Sequence, residues 1–137
     1  MARATWSLNR GRPAVEIELV ERGSSRTHTR RLLADTGAGP NTAPFALLLD
    51  EQDCLSFARR AGHLIRLSGA YAGDFRLYLV EFRIPQLNHA AMTTTVVGIA
   101  RPPKGFDGIA AFRFLNRFSY GNFGHPSQFG LESSDGN

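Results

Sequence analysis

The segment "AVEIELV" (14–20) constrains the fold more strongly than any other part of this sequence. Its apolar side chains alternate with two glutamates, and this period of two is typical of a strand with one buried and one solvated face. A turn with Gly23 follows, and residues 27–34 have the pattern of a return strand. The sequence therefore predicts a β-hairpin whose second strand ends directly before Asp35.

Strands dominate the rest of the chain, and the predicted helices are few and short. The patterns predict strands at 41–49, at 63–84 (two strands joined across Gly69 to Gly73), at 92–100 and at 127–133. Helices are predicted over 50–62, capped by Asp50, and after Asp107, which we expect to cap the second helix. This order is typical of an all-β protein with a closed, barrel-like sheet and one or two short helices.

Length and composition indicate one globular domain. A chain of 137 residues fits one domain, predicted to span 13–133 with flexible ends at 1–12 and 134–137. No apolar run is long enough to span a bilayer, and the segment 1–10 contains no apolar signal-peptide core. Cys54 is the single cysteine, so a disulfide within one chain is impossible. These features predict a cytoplasmic protein without a membrane partner.

The basic charge gives little indication of a partner. The net charge is +4, with fifteen arginines against one lysine. The arginines are scattered, with local pairs only at 30–31 and 59–60. A solvated basic surface explains this distribution better than a nucleic-acid interface, for which arginines interleaved with stacking aromatic side chains would be expected. We therefore do not expect nucleic acid as a partner.

Motifs for nucleotide, metal or serine chemistry are missing from the sequence. Residues 37–42 contain a G-x-G without the third glycine of a dinucleotide fingerprint, and no P-loop, HExxH, G-x-S-x-G or EF-hand motif occurs. The four histidines lie far apart in sequence, and Cys54 has no histidine near it. We expect neither a metal site nor a cofactor.

Asp35 is the residue whose position needs an explanation. It follows the apolar run 32–34 and precedes Thr36 and Gly37. A carboxylate that enters a core is costly unless it is hydrogen-bonded or protonated. Asp35 is therefore either a turn residue that reaches solvent or a carboxylate held in place for chemistry.

The sequence "LLADTGAG" (32–39) resembles the catalytic loop of the retropepsin-like aspartic proteases, the single-lobe retroviral type and its bacterial relatives. Two later segments extend the resemblance over 13–133. The segment "LIRLSGAYAGDFRLYLV" (64–80) is similar to the flap hairpin of that family. The segment "GIAAFRFL" (108–115) is similar to a segment that in this family reads roughly hydrophobic-hydrophobic-Gly-x-Asp/Asn-x-Leu.

The resemblance implies a homodimeric aspartic endopeptidase that acts on a peptide or protein substrate. Two paired Asp35 carboxylates would activate water, Thr36 would bind across the interface, and Gly37 would let backbone donors approach. Only Asp35 among the acidic residues is followed by Thr-Gly or Ser-Gly, so the pair requires two chains around a two-fold axis. The substrate-binding residues implied by the resemblance are Ala38, Gly39, Gly69, Ala70, Tyr71, Ala72, Gly73, Ile109 and Ala110.

Several residues depart from the family pattern. Ala111 stands where the family has glycine, and Arg113 stands where it usually has Asp or Asn. Gly39 and Phe112 replace both members of an Asp–Arg ion pair found in retroviral members. A methyl group at 111 could crowd the back of the catalytic loop.

Other interpretations remain open at this stage. The departures leave a catalytically inactive retropepsin-like module that dimerises and binds peptides as the main alternative. An RNA-binding module, with Asp35 as a turn residue, is a further one. Tyr71 either covers substrate or rests on the barrel as a loop aromatic. Phe123, Phe129 and Leu131 either form a dimer sheet or pack within one chain.

Overall fold

The computed structural model describes residues 2–87 and 90–133 and consists mainly of strands. The strands are β1 (Arg3–Ser7), β2 (Ala14–Val20), β3 (Thr27–Ala34), β4 (Leu47–Asp50), β5 (Arg60–Leu67), β6 (Gly73–Arg83), β7 (Met92–Ile99), β8 (Gly108–Ala110), β9 (Ser119–Gly121) and β10 (Gln128–Glu132). The helices are α1 (Glu51–Phe57) and α2 (Phe112–Leu115), with a 3-10 turn at Gly69–Tyr71. The predicted all-β class is confirmed. In the described part of the chain, no helix has the length and hydropathy needed to cross a membrane.

Six strands close into a barrel in the order β2-β3-β8-β4-β7-β6. The ring closes because β6 pairs back onto β2, with Phe82 opposite Leu19. The hairpin predicted from the alternation in 14–20 is confirmed, since β2 and β3 pair along their whole length. The apolar side chains of β2 are buried, whereas its two glutamates are only partly buried. The closed, barrel-like sheet is confirmed as well.

Strand β5 lies outside this ring, and its one partner strand among the described residues is β6, so the two strands form a hairpin at the edge of the barrel. β6 is covered on both faces, since its side chains contribute to two apolar clusters. Tyr78, Val80 and Phe82 belong to the main core, whereas Leu77 packs in a second apolar cluster. We call this second group the cleft cluster; its buried members are Ala43, Phe45, Leu48, Leu77, Val97, Ile99, Ile109 and Ala111.

The N-terminal segment is part of the fold, which corrects the domain boundary predicted at residue 13. β1 pairs antiparallel with β10, and β9 lies on the other side of β10. Ala4 is fully buried against the core, and Arg3 forms an ion pair of 2.7 Å with Glu132. The basic residues of this segment obscured the short alternation that makes it a strand. The predicted tail 134–137 lies outside the described residues.

The aromatic segment near the C-terminus packs within its own chain. Leu131 is fully buried in the main core. The rings of Phe129 and Tyr120 lie 6.3 Å apart, and the Arg3 guanidinium lies 4.0 Å from the ring centre of Phe123. Packing within one chain accounts for Leu131, while Phe123 and Phe129 keep part of their surface exposed.

Both predicted helices are shorter than expected. The Asp50 cap is confirmed, because its carboxylate accepts a 2.8 Å hydrogen bond from the N–H of Gln52. The helix ends at Phe57, not at 62, because Ala58 is extended and the N–H of Arg59 donates to the carbonyl of Leu79. The local charge pattern favoured a longer helix, but from Arg59 onward the backbone bonds to β6 instead.

Asp107 does not cap the second helix, which is a further correction. Its carboxylate accepts a 2.8 Å hydrogen bond from the N–H of Arg31 and so ties the start of β8 to β3. Residues 108–110 form strand β8, and α2 begins only at Phe112.

The strand predicted over 41–49 also begins later than expected, at Leu47. A turn precedes it, in which the N–H of Ala43 donates to the carbonyl of Pro40.

We expect truncation of Phe114 to destabilise the barrel strongly. Its side chain is fully buried, with ring centres 5.9 Å from Phe82 and 5.4 Å from Phe118. Phe114→Ala should lower the free energy of unfolding by about 3–5 kcal/mol through lost burial and a residual cavity. Leu55→Ala, at a side chain 56% exposed, is the matched control and should change it by less than about 0.5 kcal/mol. Denaturant unfolding measures both, and equal losses would contradict the assigned core.

Candidate functional site

Asp35 lies in a turn that is held on both sides by backbone hydrogen bonds. Its N–H donates to the carbonyl of Ala110 in β8 at 3.0 Å. Its carbonyl accepts from the N–H of Ala38 at 3.1 Å, which closes the turn. Because β3 ends at Ala34, the carboxylate enters this turn at the edge of the barrel. Its position is therefore set by the backbone, while its side chain stays partly exposed.

Gly37 keeps the Asp35 carboxylate oriented and accessible. The N–H of Gly37 donates to Asp35 Oδ1 at 2.9 Å. A Cβ at position 37 would lie 3.2 Å from the same oxygen, which is closer than a carbon usually approaches. Asp35 Oδ1 is thus held by Gly37, whereas Asp35 Oδ2 accepts no hydrogen bond within the described residues.

The residues that depart from the family pattern support the back of this turn. Ala111 is fully buried in the cleft cluster, and its N–H donates to the carbonyl of Ala46 at 3.0 Å. Its methyl group therefore has a packed place in this chain. Arg113 Nη1 donates to the carbonyl of Ala43 at 2.8 Å and holds the loop before β4. Phe112 N–H donates to the carbonyl of Ala38 at 3.3 Å.

A cleft of about 590 Å³ opens beside Asp35. Apolar side chains of the cleft cluster form its floor, and residues 65–71 of the β5–β6 hairpin form its roof. The residues that line it are Asp35, Gly37, Ala38, Gly39, Pro40, Thr42, Ala43, Pro44, Phe45, Leu48, Ile65, Arg66, Leu67, Ser68, Gly69, Tyr71 and Ile109. Asp35 is the one carboxylate in that lining, within the ranges 2–87 and 90–133. An apolar cleft with a single anchored carboxylate suits a ligand with apolar side chains.

Tyr71 connects the hairpin to the segment that follows β7. Its ring packs against the cleft cluster, and its hydroxyl donates to the carbonyl of Arg101 at 3.4 Å. Tyr71 therefore lines the cleft and also rests on the barrel, as the loop-aromatic interpretation requires. The pKa of Tyr71 lies above its ordinary value, first because of burial and second because of the negative charge of Asp35. Tyr71 is therefore within electrostatic reach of the carboxylate.

The structure brings most of the predicted site residues together. Those that line the cleft are Asp35, Gly37, Ala38, Gly39, Gly69, Tyr71 and Ile109. Ala110 is fully buried beneath Asp35 and contributes its carbonyl to the turn, so it supports the site without lining the cleft. Thr36 is exposed beside the cleft. Ala70 lies in the 3-10 turn, Ala72 is exposed after that turn, and Gly73 begins β6.

Sequence reasoning missed the apolar floor and roof of the cleft. Phe45, Leu48, Ile65 and Leu67 all line it. Ile65 and Leu67 are two residues apart in β5 and share a face, and both are more buried than Leu64 and Arg66. Nothing in the sequence indicated that this face turns toward Asp35, because that depends on how the hairpin folds over the barrel.

Other chemistry has little support in the described residues. Across 2–87 and 90–133, no three His, Cys, Asp or Glu side chains are grouped so that they could hold a metal ion. Burial raises the pKa of the Cys54 thiol far above its ordinary value, with the charge of Glu51 as the second cause. A thiol that resists ionisation is a poor nucleophile. Comparisons with protein-family models, curated proteins and solved structures found no match to this chain.

We expect the titration of Tyr71 to respond to Asp35. Asp35→Asn removes a negative charge that raises the pKa of the phenol, so the pKa of Tyr71 should fall while staying above its ordinary value because burial persists. Residue-specific NMR of the tyrosine ring carbons measures this pKa. Tyr78 is the internal control, since its pKa is raised by burial and then by Glu51. An unchanged Tyr71, or an equal change in Tyr78, would contradict the described geometry.

Proposed function

We propose that this protein is a homodimeric aspartic endopeptidase of the retropepsin-like type. The observation that carries the proposal is Asp35 itself, a carboxylate anchored by Gly37 at the edge of an apolar cleft under a hairpin. The resemblance of residues 32–39 to a catalytic loop agrees with this position.

The proposed reaction uses two Asp35 carboxylates, one from each chain. Two carboxylates in close contact cannot both ionise, so they share one proton. The ionised carboxylate takes a proton from a water molecule, which attacks the peptide carbonyl carbon, and the protonated carboxylate donates to the carbonyl oxygen. Collapse of the tetrahedral intermediate breaks the C–N bond, and a proton is returned to the amine. This chemistry needs neither a metal nor a cofactor.

The need for a second chain follows from the contents of the cleft. Asp35 is the one acidic residue in its described lining, so a single chain does not supply the pair. Thr36 is exposed directly beside Asp35 and is free to contact a second copy. The proposal therefore places the active site on a two-fold axis, which closed symmetric dimers provide.

The apolar cleft also defines the proposed substrate class. Phe45, Leu48 and Ile109 offer contact to apolar side chains on one side of a bound peptide. Ile65 and Leu67 offer it on the other side, from the hairpin. Burial of apolar surface would hold such a peptide in place while the hairpin excludes water. We propose an extended peptide with apolar residues at the cleavage point as the substrate, and a cytoplasmic location for the reaction.

The second candidate is a dimer that binds peptides without cleaving them. The observation in its favour is that the described lining of this mainly apolar cleft contains a single carboxylate. A dimer whose two carboxylates lie too far apart to share a proton would still bind peptides. It would show peptide affinity with no cleavage in the wild-type protein.

We expect Asp35→Asn to abolish cleavage of an unfolded protein substrate while the fold and the dimer remain. The amide cannot act as a base toward water, so the catalytic contribution of the pair is lost, about 10²-fold or more in kcat. Mass spectrometry of the products measures cleavage, and light scattering measures the dimer. Glu18→Gln, the same change at a partly exposed carboxylate of β2, should keep full activity. Equal activity of Asp35→Asn and wild type would refute the proposed mechanism, and binding without cleavage by wild type would favour the second candidate.

We also expect the Asp35→Asn chain to inhibit the wild-type chain when the two are mixed. Each mixed dimer holds one carboxylate and cannot share a proton between two, so activity should fall toward zero with excess variant. Cleavage is measured at constant wild-type concentration after subunit exchange. Glu18→Gln in the same excess should leave the activity unchanged or raise it. A site built by one chain would be indifferent to the added variant.

A further inference from the structure

A second cavity, of about 310 Å³, lies on the side of the barrel next to α2. It is lined by Ala46, Leu79, Thr93, Thr94, Thr95, Arg113 and Arg117. Two of these residues are charged, and both are arginines. Neither arginine takes part in the proposed peptidase reaction, so the cavity requires its own explanation.

No described residue neutralises the charges in this cavity. Among the described residues, neither Arg113 nor Arg117 forms an ion pair. Arg113 donates to a backbone carbonyl, and Arg117 approaches the sulfur of Met92 at 3.9 Å. Glu81 lies opposite Thr93 in the β6–β7 pairing, but its carboxylate is already bound to Arg59 at 2.6 Å. The described lining of the cavity therefore has two positive charges and no carboxylate.

The spacing of the two arginines favours a shared ligand. They are four residues apart, at α2 and just after its end, and like charges at this spacing repel each other. A guanidinium group has five N–H donors, and the hydrogen bonds described above leave several of them unused on each side chain. Thr93 is exposed at the rim and adds a hydroxyl donor. This set of donors matches the oxygen atoms of a tetrahedral oxyanion.

We infer that this cavity binds a phosphoryl group, either as inorganic phosphate or as a phosphate monoester. The inference goes beyond the proposed peptidase activity and does not rest on it. Arg113 and Thr95 hold the carbonyls of Ala43 and Pro44 at 2.8 Å each, and Ala43 and Pro44 also line the large cleft. The two cavities thus share a wall, and a phosphoryl group on Arg113 would act on the loop that borders Asp35.

Calorimetric titration with inorganic phosphate, at constant ionic strength and with chloride as the reference salt, tests this site. We expect saturable binding that Arg117→Gln weakens by about tenfold or more, because a charge-assisted contact is lost. Arg22→Gln, which removes the same charge from the exposed β2–β3 turn, should bind like wild type. Binding without saturation, or equal binding by wild type and Arg117→Gln, would overturn the inference, as would equal weakening in both variants.

NMR of the wild-type chain gives a test that does not depend on a variant. Phosphate should shift the amide signals of Thr93 and Thr95 in a saturable way, while those of the β2–β3 turn stay unchanged. Equal shifts of amide signals near arginines elsewhere in the chain would refute binding at this cavity. A parallel titration with a blocked phosphoserine separates the two sources of the group. Tighter binding than that of inorganic phosphate supports a phosphorylated ligand, and weaker binding supports the free ion.

Discussion

The insertion of strand β8 between β3 and β4 is the constraint on which the candidate site depends. β8 runs parallel to β3 and antiparallel to β4, and its Ala110 carbonyl receives the N–H of Asp35. Gly108 allows this insertion, because a Cβ at that position would collide with the carbonyl oxygen of Leu48. The polypeptide that follows β8 then turns into α2 and supports the loop from behind. Asp35 is therefore positioned by strands far from it in sequence, and not by its own turn alone.

The parts of the fold with strong local signals could be predicted from the sequence. The alternation in 14–20 defined the first hairpin, Gly69 and Gly73 marked the turn of the second, and Asp50 marked a helix start. Asp107 was misassigned because an aspartate before an amphipathic stretch looks like a helix cap. Its carboxylate instead bonds to Arg31, a contact between segments far apart in the chain.

The position of the carboxylate could be predicted from the sequence, but the shape of the cleft beside it could not. The apolar run before Asp35 singled out this residue, and the resemblance of the Asp-Thr-Gly order to a catalytic loop pointed to Gly37, whose N–H donates to Asp35 Oδ1. The floor and roof of the cleft depend on which face of β5 turns toward Phe45 and Leu48, and that is decided by the packing of the hairpin on the barrel. Arg113 illustrates the same limit. Its charge suggested a degraded motif, whereas its contact with the Ala43 carbonyl gives it a supporting role.

The closed ring also has a consequence for the order in which the protein folds. The β2–β3 and β5–β6 hairpins join segments that are close in sequence. β3 and β8 also pair, but most of the sequence that forms the barrel lies between them. Pairings between distant segments form slowly, because the loop entropy is lost before the contacts are gained. A chain with its hairpins paired but β8 undocked has no acceptor for the N–H of Asp35 and no wall behind its turn. The cleft is thus expected to form late in folding, after both hairpins have paired.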